Sequence, residues 1–268
     1  EAQSAGGTIT VHIQCDTGMT RLGFLCDEAH MTQSAQEITE AVRLPGLHVE
    51  GIFTHFSDSD GSEEYTMMQF NRFLDIIQKV KELGYEFAIR HCANTGSVAR
   101  YPETYLDMVR PGLLLYGYGE FAEELNLKPV MSLKAAVSTI KTYPAGTAIS
   151  YGGIYVTPHK TRIGVIPYGY ADGFFRCLSN KCNVMTSEGP APQRGKICMD
   201  MCMIDLTDKM GVDVGSEVEI FGKQNSINDL AALAGTIPYE LTCAVSKRVP
   251  RIYYRDGKVI EKELLLRG

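Results

Sequence analysis

From residue 11 to about residue 125, short apolar runs alternate with stretches whose apolar positions recur at helical spacing. That rhythm predicts successive strand–helix units and a parallel sheet. The expected strands are Val11–Asp16, Val49–Phe56, Phe87–Ala93 and Leu106–Arg110. Between the second and third, Met67, Phe70, Phe73, Leu74, Ile77 and Val80 share one face of a helix, and Asp60 with Glu63 reads as its capping box. From about residue 128, strand-length alternation broken by turns takes over, with one helix opened by Ser226 and Asp229 and closed at Gly235. Lys196 to Leu206 alternates as a strand, and Asp256-Gly257 supplies a type I′ hairpin turn between two more.

The expected architecture is α/β followed by β: a first domain over residues 1–125 and a mainly β domain over 126–268, with the boundary between Glu120 and Lys128. A (β/α)8 barrel needs eight units to close its ring of hydrogen bonds, and half of one exposes two strand edges. Four units therefore predict half of a barrel or an unusual open sheet.

Composition narrows the class. Of 268 residues, 44% are hydrophobic and 22% charged, the balance of an ordinary globular chain. The net charge is −6 with Lys and Arg scattered, which lacks the basic stripe that nucleic acid requires. No apolar run approaches the length of a membrane span, and no secretory signal is present. Glu1 in place of an initiating Met reads as a start that is missing or processed. The eight cysteines form no CxxC pairs, so free buried thiols in a reducing cytoplasm are expected rather than a zinc site.

Polar and small residues gather where the predicted strands end, which is where barrel sites are built. These ends are Asp16-Thr17-Gly18, Thr54-His55-Phe56, Asn94-Thr95-Gly96 and Arg110-Pro111-Gly112. A Thr followed by Gly, and a Gly after Arg-Pro, let backbone N–H groups approach a phosphate. Around them run Asp16-Thr17-Gly18-Met19 with Arg21-Leu22-Gly23-Phe24, then Phe53-Thr54-His55-Phe56, then Val109-Arg110-Pro111-Gly112 with Leu115-Tyr116-Gly117. Ser150-Tyr151-Gly152, Gly169-Tyr170-Ala171-Asp172-Gly173, Ile197-Cys198-Met199-Asp200, and Tyr239-Glu240 before Arg248-Val249-Pro250-Arg251 follow in order. Over nearly the whole chain, this series resembles the alanine racemase family.

The resemblance implies a pyridoxal-phosphate-binding (β/α)8 barrel, with residues 1–125 as its C-terminal half, followed by a β domain in a head-to-tail homodimer. It implies interconversion of L- and D-alanine in the bacterial cytoplasm, supplying D-alanine for peptidoglycan. His55 would lie against the pyridine ring, Asn94 would be a further cofactor contact, and Thr95, Gly112, Leu113 and Tyr239 would hold the phosphate. Arg110 would face the pyridine nitrogen. A guanidinium cannot accept a proton and gives one up only above pH 12, so that nitrogen would stay unprotonated and the cofactor would be a weaker electron sink. Arg21 and the Met199 main-chain N–H would take the substrate carboxylate. Tyr170 and Asp200, with Asp60 and Arg176 further out, would line a polar access channel. Racemisation requires the α-proton to leave one face and return on the other. The resemblance implies the cofactor lysine for one face and Tyr151, from the partner subunit, for the other, with His55 and Arg110 tuning the phenol.

Some positions depart from the family pattern. Gln14 stands where a carbamylated lysine is common, Lys196 where the channel usually has Arg, and Thr95 where Ser is usual. No lysine has the context of the family's Lys-Ala-x-Ala-Tyr-Gly motif. The expectation is therefore a C-terminal two thirds of a racemase, inactive unless an N-terminal segment of roughly 120 residues supplies that lysine. Two other readings stay open. One is a racemase of the same family acting on serine or another small amino acid, a difference worth only about 1–3 kcal/mol. The other is a non-catalytic cofactor-binding or dimerisation module.

Overall fold

In the computed structural model, which describes residues 1–264, the early strand–helix rhythm becomes a four-stranded parallel sheet. Its strands are β1 (Ile9–Asp16), β2 (Phe24–Leu25), β3 (Leu47–Phe53) and β4 (Ile89–His91), in the order β2-β1-β3-β4. Helices α1 (Met31–Ala41), α2 (Glu63–Glu82) and α3 (Thr95–Arg100) complete the units. Along β1 the core takes Val11, Ile13 and Cys15, so His12, Gln14 and Asp16 point to the opposite face. The apolar face joins Val49 and Ile52 to Ile38 of α1 and to Phe70, Phe73, Ile76 and Val80 of α2. The α2 stripe thus includes Ile76, and the predicted Leu74 is exposed.

Two local expectations need correcting here. Ser62, not Asp60, caps α2: its side chain accepts from the Tyr65 N–H at 3.2 Å, a cap worth about 1 kcal/mol. The predicted strand Leu106–Arg110 does not form. Leu106 has a φ of 50°, outside the extended region, and the Asp107 carboxylate takes the Arg90 N–H at 2.8 Å. Two bonds still run this segment alongside β4, from the Asp107 N–H to the Arg90 carbonyl at 3.1 Å and from the Arg110 N–H to the Ala93 carbonyl at 2.9 Å. They deliver Arg110 to the end of the sheet.

This sheet and its helices lie in a unit of Glu1–Leu115 with Glu123–Leu125; a second unit takes Tyr116–Ala122 and the described chain from Asn126 onward. The second unit holds β5 (Leu133–Ala136), β6 (Thr139–Tyr143), β9 (Thr161–Ile166), β10 (Asn183–Thr186), β11 (Gly189–Arg194), β12 (Cys202–Asp205) and β13 (Glu217–Phe221). They form an antiparallel sheet in the order β5-β13-β10-β11-β12-β9-β6. Its two edges, β5 and β6, are separated only by Val137 and Ser138. A flat sheet of this width would hold its edges about 29 Å apart, whereas three Cα steps reach only about 11 Å, so the sheet must roll up. Val137 continues the pairing on one edge by donating to the Ser216 carbonyl at 2.9 Å, and Ser138 on the other by donating to the Val165 carbonyl at 2.8 Å.

Smaller elements decorate this rolled sheet. β7 (Ala148–Ile149) and β8 (Tyr155–Val156) pair with each other. Helix α4 (Ile227–Ala234) begins at Ser226, whose side chain accepts from the Asp229 N–H at 3.3 Å, and ends at Gly235 with a φ of 73°. The hairpin of β14 (Arg251–Arg255) and β15 (Lys258–Glu263) turns through Asp256 and Gly257 at φ 50° and 72°, both positive as a type I′ turn requires. Helix α5 (Pro238–Ala244), with proline in its first turn, was not expected from the sequence. Of the predicted strand Lys196–Leu206 only β12 forms, because Gly195 has a φ of 76° and the Cys198 N–H bonds the Met201 carbonyl at 2.9 Å, closing residues 195–201 into a loop. All eight cysteines are free, but Cys177 and Cys243 are exposed rather than buried. No described helix is long and apolar enough to cross a membrane.

Candidate active site

The polar face of the first unit's sheet carries a directional chain of hydrogen bonds. Arg110 Nη1 meets His91 Nδ1 at 2.5 Å, His91 Nε2 meets His12 Nδ1 at 2.8 Å, and His12 Nε2 meets Glu50 Oε2 at 3.3 Å. Its two ends fix every tautomer. A guanidinium only donates and a carboxylate only accepts, so His91 carries its proton on Nε2 and His12 on Nε2. Arg110 Nη2 also donates to the Thr54 carbonyl at 2.9 Å, and its charge lies 5.5 Å from the Phe53 ring centroid. Gly51 makes this possible: a Cβ there would sit 2.6 Å from His12 Nδ1. His91 was missed by the sequence reading. Its signal is the strand alternation that puts it on the same face as His12.

Burial first, then the charge of Arg110, then His12, hold the His91 imidazole down at a pKa of about 4, against an ordinary 6.5. The unfolded chain therefore binds this proton from about pH 6.5 downward, and the folded chain only near pH 4. Stability is expected to fall as pH drops through that window, by up to ~3 kcal/mol for this residue. His55, whose pKa is also lowered, adds to the slope. Urea unfolding across pH 4–7 should give a shallower dependence for His91→Asn than for the wild type; an unchanged slope would remove His91 as its source.

The β1 end is organised by Asp16. Its buried carboxylate accepts from the Gly18 and Thr20 N–H groups, both at 3.0 Å, and from the Arg21 N–H at 3.1 Å. That turn presents the Arg21 guanidinium, exposed and without a partner among the described residues. Gln69 of α2, fully buried, stitches the strand ends together. Its amide donates to Thr17 Oγ1 and to the His55 carbonyl, both at 3.2 Å, and accepts from the Ser57 N–H at 2.9 Å. Its signal was a polar position inside an apolar helical stripe. His55 is half-buried; burial first, then Arg110 and Arg21, lower its pKa, so both charges acting on it are cations.

Asn94 caps α3 in a reciprocal box with Ser97, and its Nδ2 donates to the Phe56 carbonyl at 3.1 Å. The Thr95 hydroxyl donates to the Pro111 carbonyl, and Gly112, at φ 53°, begins a 3-10 turn Gly112–Tyr116 in which Leu113 is buried. Asp60 lies against Gly96, and its carbonyl accepts from Arg100 Nη1 at 2.7 Å.

In the second unit, the loop 195–201 brings together four other candidates, Tyr151, Tyr170, Met199 and Asp200. The Ser150 hydroxyl donates to the Lys196 carbonyl at 2.7 Å, which fixes Tyr151 at the head of a 3-10 turn. Tyr151 is 68% exposed, and its phenol has no partner among the described residues. The Tyr170 N–H donates to the Cys198 carbonyl at 3.0 Å and the Ala171 N–H to the Met199 carbonyl at 2.9 Å. Met199 itself is exposed, and among the described residues its N–H has no partner. Asp200 pairs with Arg248 at 2.7 Å. Tyr239, in α5, and Arg176, at the start of a 3-10 turn, lie elsewhere in this unit.

Comparison with known proteins agrees across both units. A family model for the alanine racemase N-terminal domain matches residues 1–120, and one for the alanine racemase C-terminal domain matches residues 130–253. An alanine racemase of Desulforamulus reducens is 44% identical over 258 residues, 94% of this chain and 69% of the relative. The chain belongs to the alanine racemase family. An alanine racemase of Clostridium tetani is 42% identical over 260 residues, covering 93% of this chain and 66% of its own length. Among solved structures, alanine racemase of Clostridium difficile 630 superposes with a TM-score of 0.93 at 37% identity, over 99% of this chain and 70% of that one. Alanine racemase of Bacillus anthracis with bound L-Ala-P gives 0.88 at 32%, over 98% and 70%. The chain thus spans about two thirds of the length of its relatives. The family is one of pyridoxal-phosphate-dependent isomerases, and this chain is one of its racemases. The expectation of a chain that lacks the lysine-bearing segment and is inactive for that reason is not borne out, since residues 1–120 match the N-terminal domain. For the same reason the half-barrel reading is corrected in part: the N-terminal domain is represented, with four parallel strands described.

Proposed function

We propose that the protein interconverts L- and D-alanine by two-base racemisation on pyridoxal phosphate, in a head-to-tail homodimer, and supplies D-alanine for peptidoglycan in the bacterial cytoplasm. The observation that carries this reading is the donor set at the strand ends. Arg110, Arg21, half-buried His55 and a Gly112 N–H without a partner among the described residues suit an anionic, phosphorylated ring. His55 would lie on the ring and Arg110 at its nitrogen, with Thr95, Gly112, Leu113 and Tyr239 around the phosphate and Asn94 as a further cofactor contact. When bound, the cofactor supplies the electron sink that acidifies the substrate α-C–H.

The protein's own groups then divide the work. Arg110 stays a donor because the whole chain to Glu50 points away from it, so it cannot hand the ring nitrogen a proton cheaply. Arg21 and the Met199 N–H suit the substrate carboxylate, since both are donors without protein partners among the described residues. Tyr151 exchanges the α-proton on one face; its exposure and open hydroxyl support a role at a site completed by a second subunit. Tyr170 and Asp200, with Asp60 and Arg176 further out, suit the polar access channel.

The test is an assay of the native protein with pyridoxal phosphate, following D-alanine formed from L-alanine beside the same assay with L-serine. Alanine turnover at least tenfold faster supports the proposal. Faster serine turnover, or none with either substrate despite cofactor uptake, would overturn it.

A further inference from the structure

We infer that Arg248 is a positioning residue for the substrate carboxylate: it latches the Gly169–Gly173 turn to the Cys198–Asp200 turn, so that the Met199 N–H is held ready to bind. The inference rests on the racemase reading, in which Met199 meets that carboxylate.

The latch has one buried arm and one exposed arm. Arg248 Nε donates to Asp172 Oδ1 at 2.7 Å, and the Asp172 side chain is only 10% exposed. Asp172 Oδ2 accepts from the Gly169 N–H at 2.9 Å, and its carbonyl accepts from the Tyr168 hydroxyl at 3.1 Å and from the Ser246 N–H at 3.0 Å. Gly173, at φ 113°, lies so close to this strap that a Cβ would be 2.5 Å from the Ala244 carbonyl oxygen. A carboxylate so satisfied is a firm anchor, and taking Arg248 away would leave a buried charge without its counter-ion.

The other arm reaches out from that anchor. Arg248 Nη2 donates to Asp200 Oδ1 at 2.7 Å, where Asp200 is 54% exposed. An ion pair so open contributes little to stability. Its geometric effect is larger, because Asp200 directly follows Met199. The Cys198 and Met199 carbonyls are already taken by the Tyr170 and Ala171 N–H groups. With Asp200 tied as well, the Met199 peptide is held on both sides, and its N–H direction is set before any ligand arrives. Preorganised donors bind an anion without first paying to order the loop. A lysine at 248 lacks the planar fork that lets one side chain serve both carboxylates at once.

The experiment compares Arg248→Lys, Arg248→Met and Asp200→Ala with wild type in the native holoenzyme. For both Arg248 variants, KM for alanine should rise about tenfold and kcat should move by less than about threefold, the pattern of lost ground-state binding. The inhibition constant of propionate, a bare carboxylate, should rise with KM. Amide exchange at Ala171, whose N–H holds the Met199 carbonyl, should quicken in all three. Asp200→Ala removes the acceptor of Nη2, so it cuts only the exposed arm and leaves the buried anchor whole, and it decides the matter if Arg248→Met does not fold. An Asp200→Ala protein with wild-type KM and wild-type propionate inhibition would overturn the inference, as would Arg248→Lys losing kcat at unchanged KM. A wild-type protein without alanine racemisation would instead overturn the functional reading beneath it.

Discussion

Replacing Tyr151 with Phe is expected to lower alanine racemisation in the native protein by about 10²- to 10⁴-fold, the range of one lost general acid–base group. The substitution removes a single hydroxyl that has no hydrogen-bond partner among the described residues, on a side chain 68% exposed. Its turn is held by other bonds, from the Ser150 hydroxyl to the Lys196 carbonyl and by the Gly195 backbone against Ile149. Folding should therefore be untouched, with a Tm within about 1 °C of wild type. The sharper readout is isotopic. In deuterated water, exchange of the α-proton should persist from one enantiomer and fail from the other, because only one face loses its base. Equal retention, or equal loss, from both would take Tyr151 out of the mechanism.

The legible parts of the fold were those where local chemistry decides the outcome. Ser226 with Asp229 and Gly235 bound α4 because a cap and a left-handed glycine need no tertiary help. Asp256-Gly257 made its hairpin for the same reason. The Leu106–Arg110 strand failed because alternation does not reveal a positive φ at Leu106 or a carboxylate at Asp107 competing for the Arg90 N–H. The Lys196–Leu206 run failed where the Cys198–Met201 bond folds the backbone back. Motif order put forward the candidates for ligand contact, since chemistry constrains those types. Of the residues that position others, Arg248 stood within a motif that gave no hint of its partners, and the rest were invisible as motifs. His12, His91 and Glu50 come from three strands, Gln69 from a helix, and Arg248 from a segment far along the chain; only the folded sheet and turns bring each to its partners.

Arg110→Leu should have the second largest effect, and two separate readouts test it. Racemisation is expected to fall by about 10²- to 10³-fold, the usual consequence of removing one preorganised donor from a site of charge development. The substitution also deletes the donor that begins the chain to Glu50. His91 Nδ1 and the Thr54 carbonyl lose their partner, which should cost roughly 1–3 kcal/mol of stability. With the cation gone, one of the causes holding the His91 imidazole near 4 disappears, and its pKa should climb back toward 6.5. Imidazole NMR titration would follow that rise directly, in protein with or without cofactor. Glu50→Gln acts at the opposite end, where the carboxylate is part exposed and 3.3 Å from His12, so its effect on both readouts should be smaller. If His91 titrated in Arg110→Leu as it does in the wild type, burial and His12 would be setting its proton without the cation, and Arg110 would not govern the chain that runs to Glu50.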